Sequence, residues 1–198
     1  MKGEDMDQAS IIEEPGIGGR FRGSLESASA DPLALVRGEL PLPPGLAARW
    51  ETGKARPHDF IWTTLAIPVL VSAKVVGLLQ EVGATGWSAP PIPLFGKQGE
   101  AIPGYHLLTV HGRCGPVRDG RSARVMKPYP GGPFPVWRGL YAEPGTWDGS
   151  DLYMPEGGAG WIFVSPRMRS KLERARVGNV VFTSTDEVER AALLSPTR

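Results

Sequence analysis

Apolar and polar positions fall into short periodic runs, and the clearest lies between residues 59 and 88. Asp59-Phe60-Ile61-Trp62 opens it, and Pro68-Val69-Leu70-Val71 predicts a short strand. Ser72 stands where an N-cap belongs, and Val75, Val76, Leu78, Leu79 and Val82 then set one apolar face on a helix over 73–82. Gly83 suits the helix C-terminus, and a strand follows near Trp87, interrupted by Pro90, Pro91 and Pro93. A second run has the same order of parts. Asp151-Leu152-Tyr153 opens it, EGGAG (156–160) is a turn, and Trp161-Ile162-Phe163-Val164 is a strand. Ser165 is the N-cap, Pro166 fits the first helical position, and Met168, Leu172 and Ala175 continue at helical spacing. Gly178-Asn179 ends the helix, and Val180-Val181-Phe182-Thr183 is rich in strand formers.

The two runs align. Val69-Leu70-Val71-Ser72 lies over Ile162-Phe163-Val164-Ser165 at an offset of 93 positions, and the same offset sets Lys74 on Arg167, Val75 on Met168 and Leu79 on Leu172. Asp59-Phe60 corresponds to Asp151-Leu152 with one residue of slippage, and Gly86-Trp87 lies over Asn179-Val180. Neither unit can bury its apolar helix face alone, so the pattern predicts two related units sharing one core. The fold class expected is α+β: two related strand, Ser-capped helix and strand units, about 59–88 and 151–183, in a loop-rich single domain over 31–198.

The remaining pattern is plainer. Asp31-Pro32 before Leu33, Leu35 and Val36 predicts a short capped helix ended by Gly38, and PLPPG (41–45) a stiff connector. Residues 102–111 read as one strand, with Tyr105, Leu107 and Thr109 on one face and His106, Leu108 and Val110 on the other. Residues 112–135, with Gly112, Gly115, Gly120 and KPYPGGPFP, read as an irregular middle. Residues 1–30 hold six acidic and three basic residues. They read as an N-terminal arm, in part disordered, with a strand added to a sheet edge as the alternative.

Composition narrows the functional classes. Gly 26 and Pro 20 approach the level of low-complexity chains, but six tryptophans and 41% hydrophobic residues argue for a packed core. No segment approaches the ~20 apolar residues of a membrane helix, and MKGEDMDQAS lacks the apolar stretch of a secretory signal. A net charge of +1 offers no whole-molecule field for nucleic acid or a membrane surface. One cysteine, Cys114, excludes an internal disulfide and suits a reducing, cytoplasmic compartment.

No catalytic, cofactor-binding or metal set assembles from these motifs. Gly16-Ile17-Gly18-Gly19 lacks the strand and helix of a dinucleotide loop, and no phosphate loop, G-x-S-x-G elbow or H-E-x-x-H is present. His58-Asp59, His106, His111 and Cys114 are the polar residues that invite chemistry. His111-Gly-Arg-Cys114 has the spacing of half a zinc site, and a structural zinc needs four ligands. A Cys–His nucleophilic pair has no supporting third group. Trp147-Asp148-Gly149-Ser150-Asp151 carries too few regularly spaced oxygens for Ca²⁺ and reads as a turn closed by aspartate. Arg113, Arg118, Arg121, Arg124 and Lys127 form a basic stretch, and the second helix adds Arg167, Arg169, Lys171, Arg174 and Arg176. Either could face an acidic protein or nucleic acid. Only Tyr129 and Phe134 are interleaved, which makes base stacking a weak reading.

WDGSDLY (147–153) followed by IFVSPRMRSKL (162–172) resembles the C-terminal signature of bacterial double-CxxCG-motif immunity proteins. PVLVSAKVVGLLQEVGATG (68–86) and PLPPG (41–45) are similar to earlier segments of that family, so the resemblance spans roughly residues 40–185. It implies a toxin-neutralising protein that acts by binding a cognate toxin and has no catalytic residues. The departure is in the cysteines. That family carries two CxxCG pairs, whereas here the first is absent and the second survives as His111-Gly-Arg-Cys114-Gly115. The resemblance therefore implies the partner more strongly than a metal. The alternative is a nucleic-acid-associated or regulatory module using residues 113–127.

Overall fold

The computed structural model describes residues 8–16, 20–26, 31–54, 56–63, 67–157 and 160–192. The fold mixes α and β and is rich in strands. Its two larger sheets meet at one apolar cluster.

The larger sheet has seven strands in the order β8-β7-β3-β2-β4-β5-β9. These are β2 (Arg22–Glu26), β3 (Ala47–Thr52), β4 (Phe60–Thr63), β5 (Val69–Ser72), β7 (Leu94–Phe95), β8 (Ala101–Ile102) and β9 (Tyr105–Leu107). The second has five strands in the order β11-β14-β15-β1-β16: β1 (Ser10–Glu13), β11 (Gly112–Cys114), β14 (Leu152–Pro155), β15 (Phe163–Val164) and β16 (Val181–Ser184). A two-stranded pair joins β6 (Trp87–Ser88) to β10 (Thr109–Val110). A three-stranded sheet orders β12 (Ala123–Lys127), β13 (Phe134–Arg138) and β17 (Glu189–Ala191).

Three helices among the described residues begin where their caps predict. The Asp31 carboxylate accepts the Leu33 N–H at 2.9 Å ahead of α1 (Pro32–Val36). Ser72 accepts the Val75 N–H at 3.4 Å ahead of α2 (Ala73–Glu81), and Ser165 accepts the Met168 N–H at 3.3 Å ahead of α3 (Pro166–Arg174). Each cap satisfies an N–H that has no partner inside its helix.

Burial explains the apolar runs. In β5, Val69 and Val71 belong to the cluster beneath α2 and α3, while Leu70 belongs to a second cluster with Phe21, Ile61, Leu94 and Leu107. In β15, Val164 joins the helix-side cluster and Phe163 a third, where it stacks on Tyr153 at 5.2 Å between ring centroids. These central strands are covered on both faces, so their sequences read as unbroken apolar runs rather than alternation. Val75, Leu79, Met168 and Leu172 are each at most 2% exposed and share one cluster, which also holds Phe60 and Leu152.

The structure departs from the sequence reading in three places. Two segments assigned to an N-terminal arm are strands inside sheets. β1 lies between β15 and β16, with Ile11 wholly buried, and β2 lies between β3 and β4. Isoleucines on the two faces of β1 fill two different clusters, which anchors a stretch that is otherwise acidic. Residues 1–7, 17–19 and 27–30 of that arm lie outside the described residues, as do 158–159 of the EGGAG turn. The run 102–111 is not one strand: β9 pairs with β5 and β10 with β6, and the change of sheet falls at Leu108, whose N–H donates to the Val69 carbonyl at 2.9 Å. The middle of the chain is also less irregular than its glycines suggest, since it contains β11, β12 and the start of β13.

Candidate functional site

Two aspartates, each accepting several hydrogen bonds, stand in equivalent surroundings. Asp59 precedes β4. Its carboxylate accepts the Ser72 hydroxyl at 2.9 Å, the Lys74 ammonium at 3.0 Å and the Gly178 N–H at 2.8 Å. Asp151 precedes β14. Its carboxylate accepts the Ser165 hydroxyl at 2.7 Å, the Arg167 guanidinium at 2.5 Å and the Thr85 N–H at 3.0 Å. Each aspartate thus holds the cap serine of its own unit and a backbone N–H of the other. The backbones repeat the exchange: Phe60 N–H donates to the Gly178 carbonyl and Leu152 N–H to the Thr85 carbonyl, both at 3.1 Å.

The helix exits correspond too. Gly83 (φ +60°) and Arg176 (φ +51°) stand 93 positions apart and both take the left-handed conformation after their helices, as do Gly86 (φ +82°) and Asn179 (φ +65°) further on. In the second unit non-glycine residues fill these positions. Asn179 has compensating bonds: its side-chain NH₂ donates to the Phe60 carbonyl at 2.8 Å, and its own carbonyl accepts the Trp62 indole N–H at 2.7 Å.

A serine hydroxyl on a carboxylate beside a cation can be read as an activated nucleophile. Here each hydroxyl donates to aspartate and accepts a helical N–H, and among the described residues no histidine hydrogen-bonds to either serine. Burial pushes both carboxyls up. For Asp59 the Gly178 N–H, Lys74 and Ser72 outweigh it and hold the group below the ordinary carboxylate value. For Asp151 the Arg167 contact, the Ser165 hydroxyl and the Thr85 N–H together outweigh it. Both stay ionised as acceptors. A cleft of about 600 Å³ lined by Thr85, Trp147, Asp151 and Arg167 borders the second cradle.

The other residues singled out in the sequence are scattered. The His58 carbonyl accepts the Tyr105 hydroxyl at 2.9 Å, and burial first, then the Asp59 charge, push that phenol up to about 12. His106 Nδ1 donates to the Ala89 carbonyl at 3.0 Å, which fixes its tautomer. Cys114 is buried on β11, and burial pushes its thiol up to about 12, opposite to the shift of a reactive thiol. Among the described residues no three His, Cys, Asp or Glu side chains cluster as a metal would require. His111 makes a contact the sequence did not suggest: its Nε2 lies 2.8 Å from Ser88 Oγ, which is itself 2.5 Å from Thr109 Oγ1. Among the described residues no carboxylate orients His111 Nδ1, so the contact fastens β6 to β10 without completing a triad. Asp148 closes its turn, accepting the Ser150 N–H at 2.9 Å, and also accepts the Arg113 N–H at 2.7 Å.

The basic stretch is not one surface. Arg113 donates to the carbonyls of Val110, Gly112 and Arg37, and burial is the main cause that lowers its pKa. Arg118 pairs with Glu143, Arg121 lies over the Tyr141 ring, and Lys127 pairs with Glu189. Arg124 remains exposed on β12. The β12–β13 hairpin, which the sequence left irregular, carries Met126, Tyr129 and Phe134 at 60%, 54% and 41% exposure. Strand pairing between 123–127 and 134–138 was hidden by the Pro- and Gly-rich turn; the alternation Ala123-Arg124-Val125-Met126-Lys127 was the available signal.

No family model matches the chain, and no curated protein matches it significantly. Among the described residues no helix is long and apolar enough to cross a membrane.

Proposed function

We propose that the chain is an immunity-type protein that binds and neutralises a cognate bacterial toxin by stoichiometric contact, without turnover. The observation that supports this reading best is the role of the WDGSDLY carboxylates. Asp148 closes a turn and Asp151 joins two units, so the residues that carry the resemblance are engaged in the scaffold. A fold that uses its polar motif residues in this way acts through its surface. We also propose that the two units descend from one duplicated ancestor, which accounts for the corresponding caps, aspartates and left-handed exits. A reducing, cytoplasmic setting fits a lone buried thiol.

The experiment is co-expression with the product of a neighbouring toxin gene. Wild type is expected to protect cells and co-purify with the toxin in equal amounts, and a His58→Ala/His106→Ala/Cys114→Ala variant that folds is expected to do the same. A folded triple variant without protection would replace binding with chemistry at those residues. A wild type that neither protects nor co-purifies would end the immunity reading.

A further inference from the structure

We infer that the outer edge of β12 is the docking site for an acidic, extended segment of a protein partner, added as a fourth strand to the β12-β13-β17 sheet. This rests on the reading above that the chain acts by binding protein.

The edge itself comes first. β12 ends its sheet, and among the described residues no strand pairs with its outer side. Four of its five residues are exposed. An open strand presents a row of unpaired N–H and C=O groups, and native proteins usually shorten, bulge or cover such edges. β12 pairs in unbroken register from Ala123–Arg138 to Lys127–Phe134, contains no proline and lies uncovered among the described residues. Main-chain bonds along such an edge give affinity, and side chains flanking it give selectivity.

Apolar anchors sit beside it. Five large hydrophobic residues are exposed among those described, and three of them, Met126, Tyr129 and Phe134, belong to this hairpin. Tyr129 and Phe134 meet edge to face, 5.9 Å between centroids, so the anchor is already ordered before any partner arrives. A depression of about 540 Å³ between them is floored by Gly131, Gly132 and Pro133.

Charge selects the occupant. Residues 118–138 hold five basic residues and one acidic, in a chain whose net charge is +1. Lys127 and Arg138 share the single carboxylate of Glu189, and among the described residues Arg124 has no partner. A second copy of β12 on this edge would bring cation to cation, whereas an acidic strand would neutralise them. Nucleic acid is the poorer occupant. One ring turns its edge on the face of the other rather than extending a flat stacking platform, and Glu189 and Asp119 lie among the cations.

The test measures fluorescence anisotropy with a labelled peptide of alternating Glu and Val, about strand length. Its controls are the Lys–Val counterpart, a Glu–Val peptide N-methylated at every residue, and a single-stranded DNA oligonucleotide. The acidic peptide is expected to bind at least about tenfold more tightly than the basic one. N-methylation should abolish binding, and Arg124→Glu and Met126→Asp should each weaken it about tenfold while thermal melts stay unchanged. Absent binding, equal binding of both peptides, tighter binding of the oligonucleotide, or self-association lost in Arg124→Glu would each overturn the assignment. The two readings fail separately. If the acidic peptide binds as described but co-expression gives no protection, the toxin is wrong and the docking edge stands. If Arg124→Glu and Met126→Asp protect fully, the edge is wrong and the immunity reading stands.

Discussion

Thr85 and Gly178 stand 93 positions apart and do the same work: each donates its N–H to the aspartate of the other unit and accepts the N–H of the residue that follows that aspartate. The exchange is a two-way lock. Breaking either half removes a cap brace and a cross-unit bond together.

Asp151→Asn should therefore destabilise the protein by about 2–3 kcal/mol, the usual scale for hydrogen bonds to a charged group. Asp59→Asn should cost about 1–2 kcal/mol, because Asp59 is more exposed and its Lys74 pair is screened by solvent. Urea denaturation measures both. A loss below about 1 kcal/mol for Asp151→Asn would show that the carboxylate is dispensable to the lock.

The same carboxyls set an acid limit. Both have folded-state pKa values below the ordinary one. The unfolded chain therefore binds protons more readily, and stability rises with pH in that range. Their contribution is complete above the unfolded value of about 3.9 and is lost as pH falls through the folded values. Asp59→Asn/Asp151→Asn should flatten the dependence of the urea midpoint on pH below about 4 relative to wild type. An unchanged acid slope would count against this origin.

Leu79 and Leu172 occupy matched positions in one cluster, at 1% and 2% exposure. Leu79→Ala and Leu172→Ala should each cost roughly 2–5 kcal/mol. A loss below about 1 kcal/mol at either position would show that its surroundings close over the cavity.

Arg176 holds φ +51° where the first unit has Gly83, and among the described residues its exposed side chain has no partner that would compensate. Arg176→Gly should stabilise the protein by about 0.5–1 kcal/mol, since relief of left-handed strain exceeds the added freedom of the unfolded chain. Thermal melts decide it, and a lowered midpoint would mean that the side chain contributes more than its conformation costs.

Zinc is expected well below stoichiometric amounts in protein purified without added metal. His111 Nε2 is engaged with Ser88, and Cys114 is buried with its thiol protonated. Elemental analysis near one zinc per chain, lost in Cys114→Ser, would contradict this.

The local grammar of the fold was legible. Asp31, Ser72 and Ser165 announced their helices because an N-cap needs only a short polar side chain before an apolar face. The 93-residue offset placed the matching core leucines. What the sequence hid depends on pairing at a distance. Four residues of β1 carry no period long enough to read, and their place follows from partners more than 150 residues away, as the Arg169–Ser10 separation of 159 illustrates. Ser88 belongs to no motif, and its meeting with His111 follows from the register of β6 on β10. Asp148 closes the turn that its sequence suggests, but the Thr85 N–H that Asp151 accepts from the other unit leaves no mark in the sequence.

The position of β1 between β15 and β16 has a consequence for biosynthesis. Ser10–Glu13 leave the ribosome long before both of their neighbours, which come from 163–184. Vectorial synthesis therefore cannot complete the five-stranded sheet as it proceeds. Until translation passes Val164, Ile11 and Ile12 have no strand to pair with, and until it passes Ser184 one side of β1 stays open, an edge of the kind that chaperones shield. Closing contacts of such long sequence separation is intrinsically slow, so the five-stranded sheet should form late in folding.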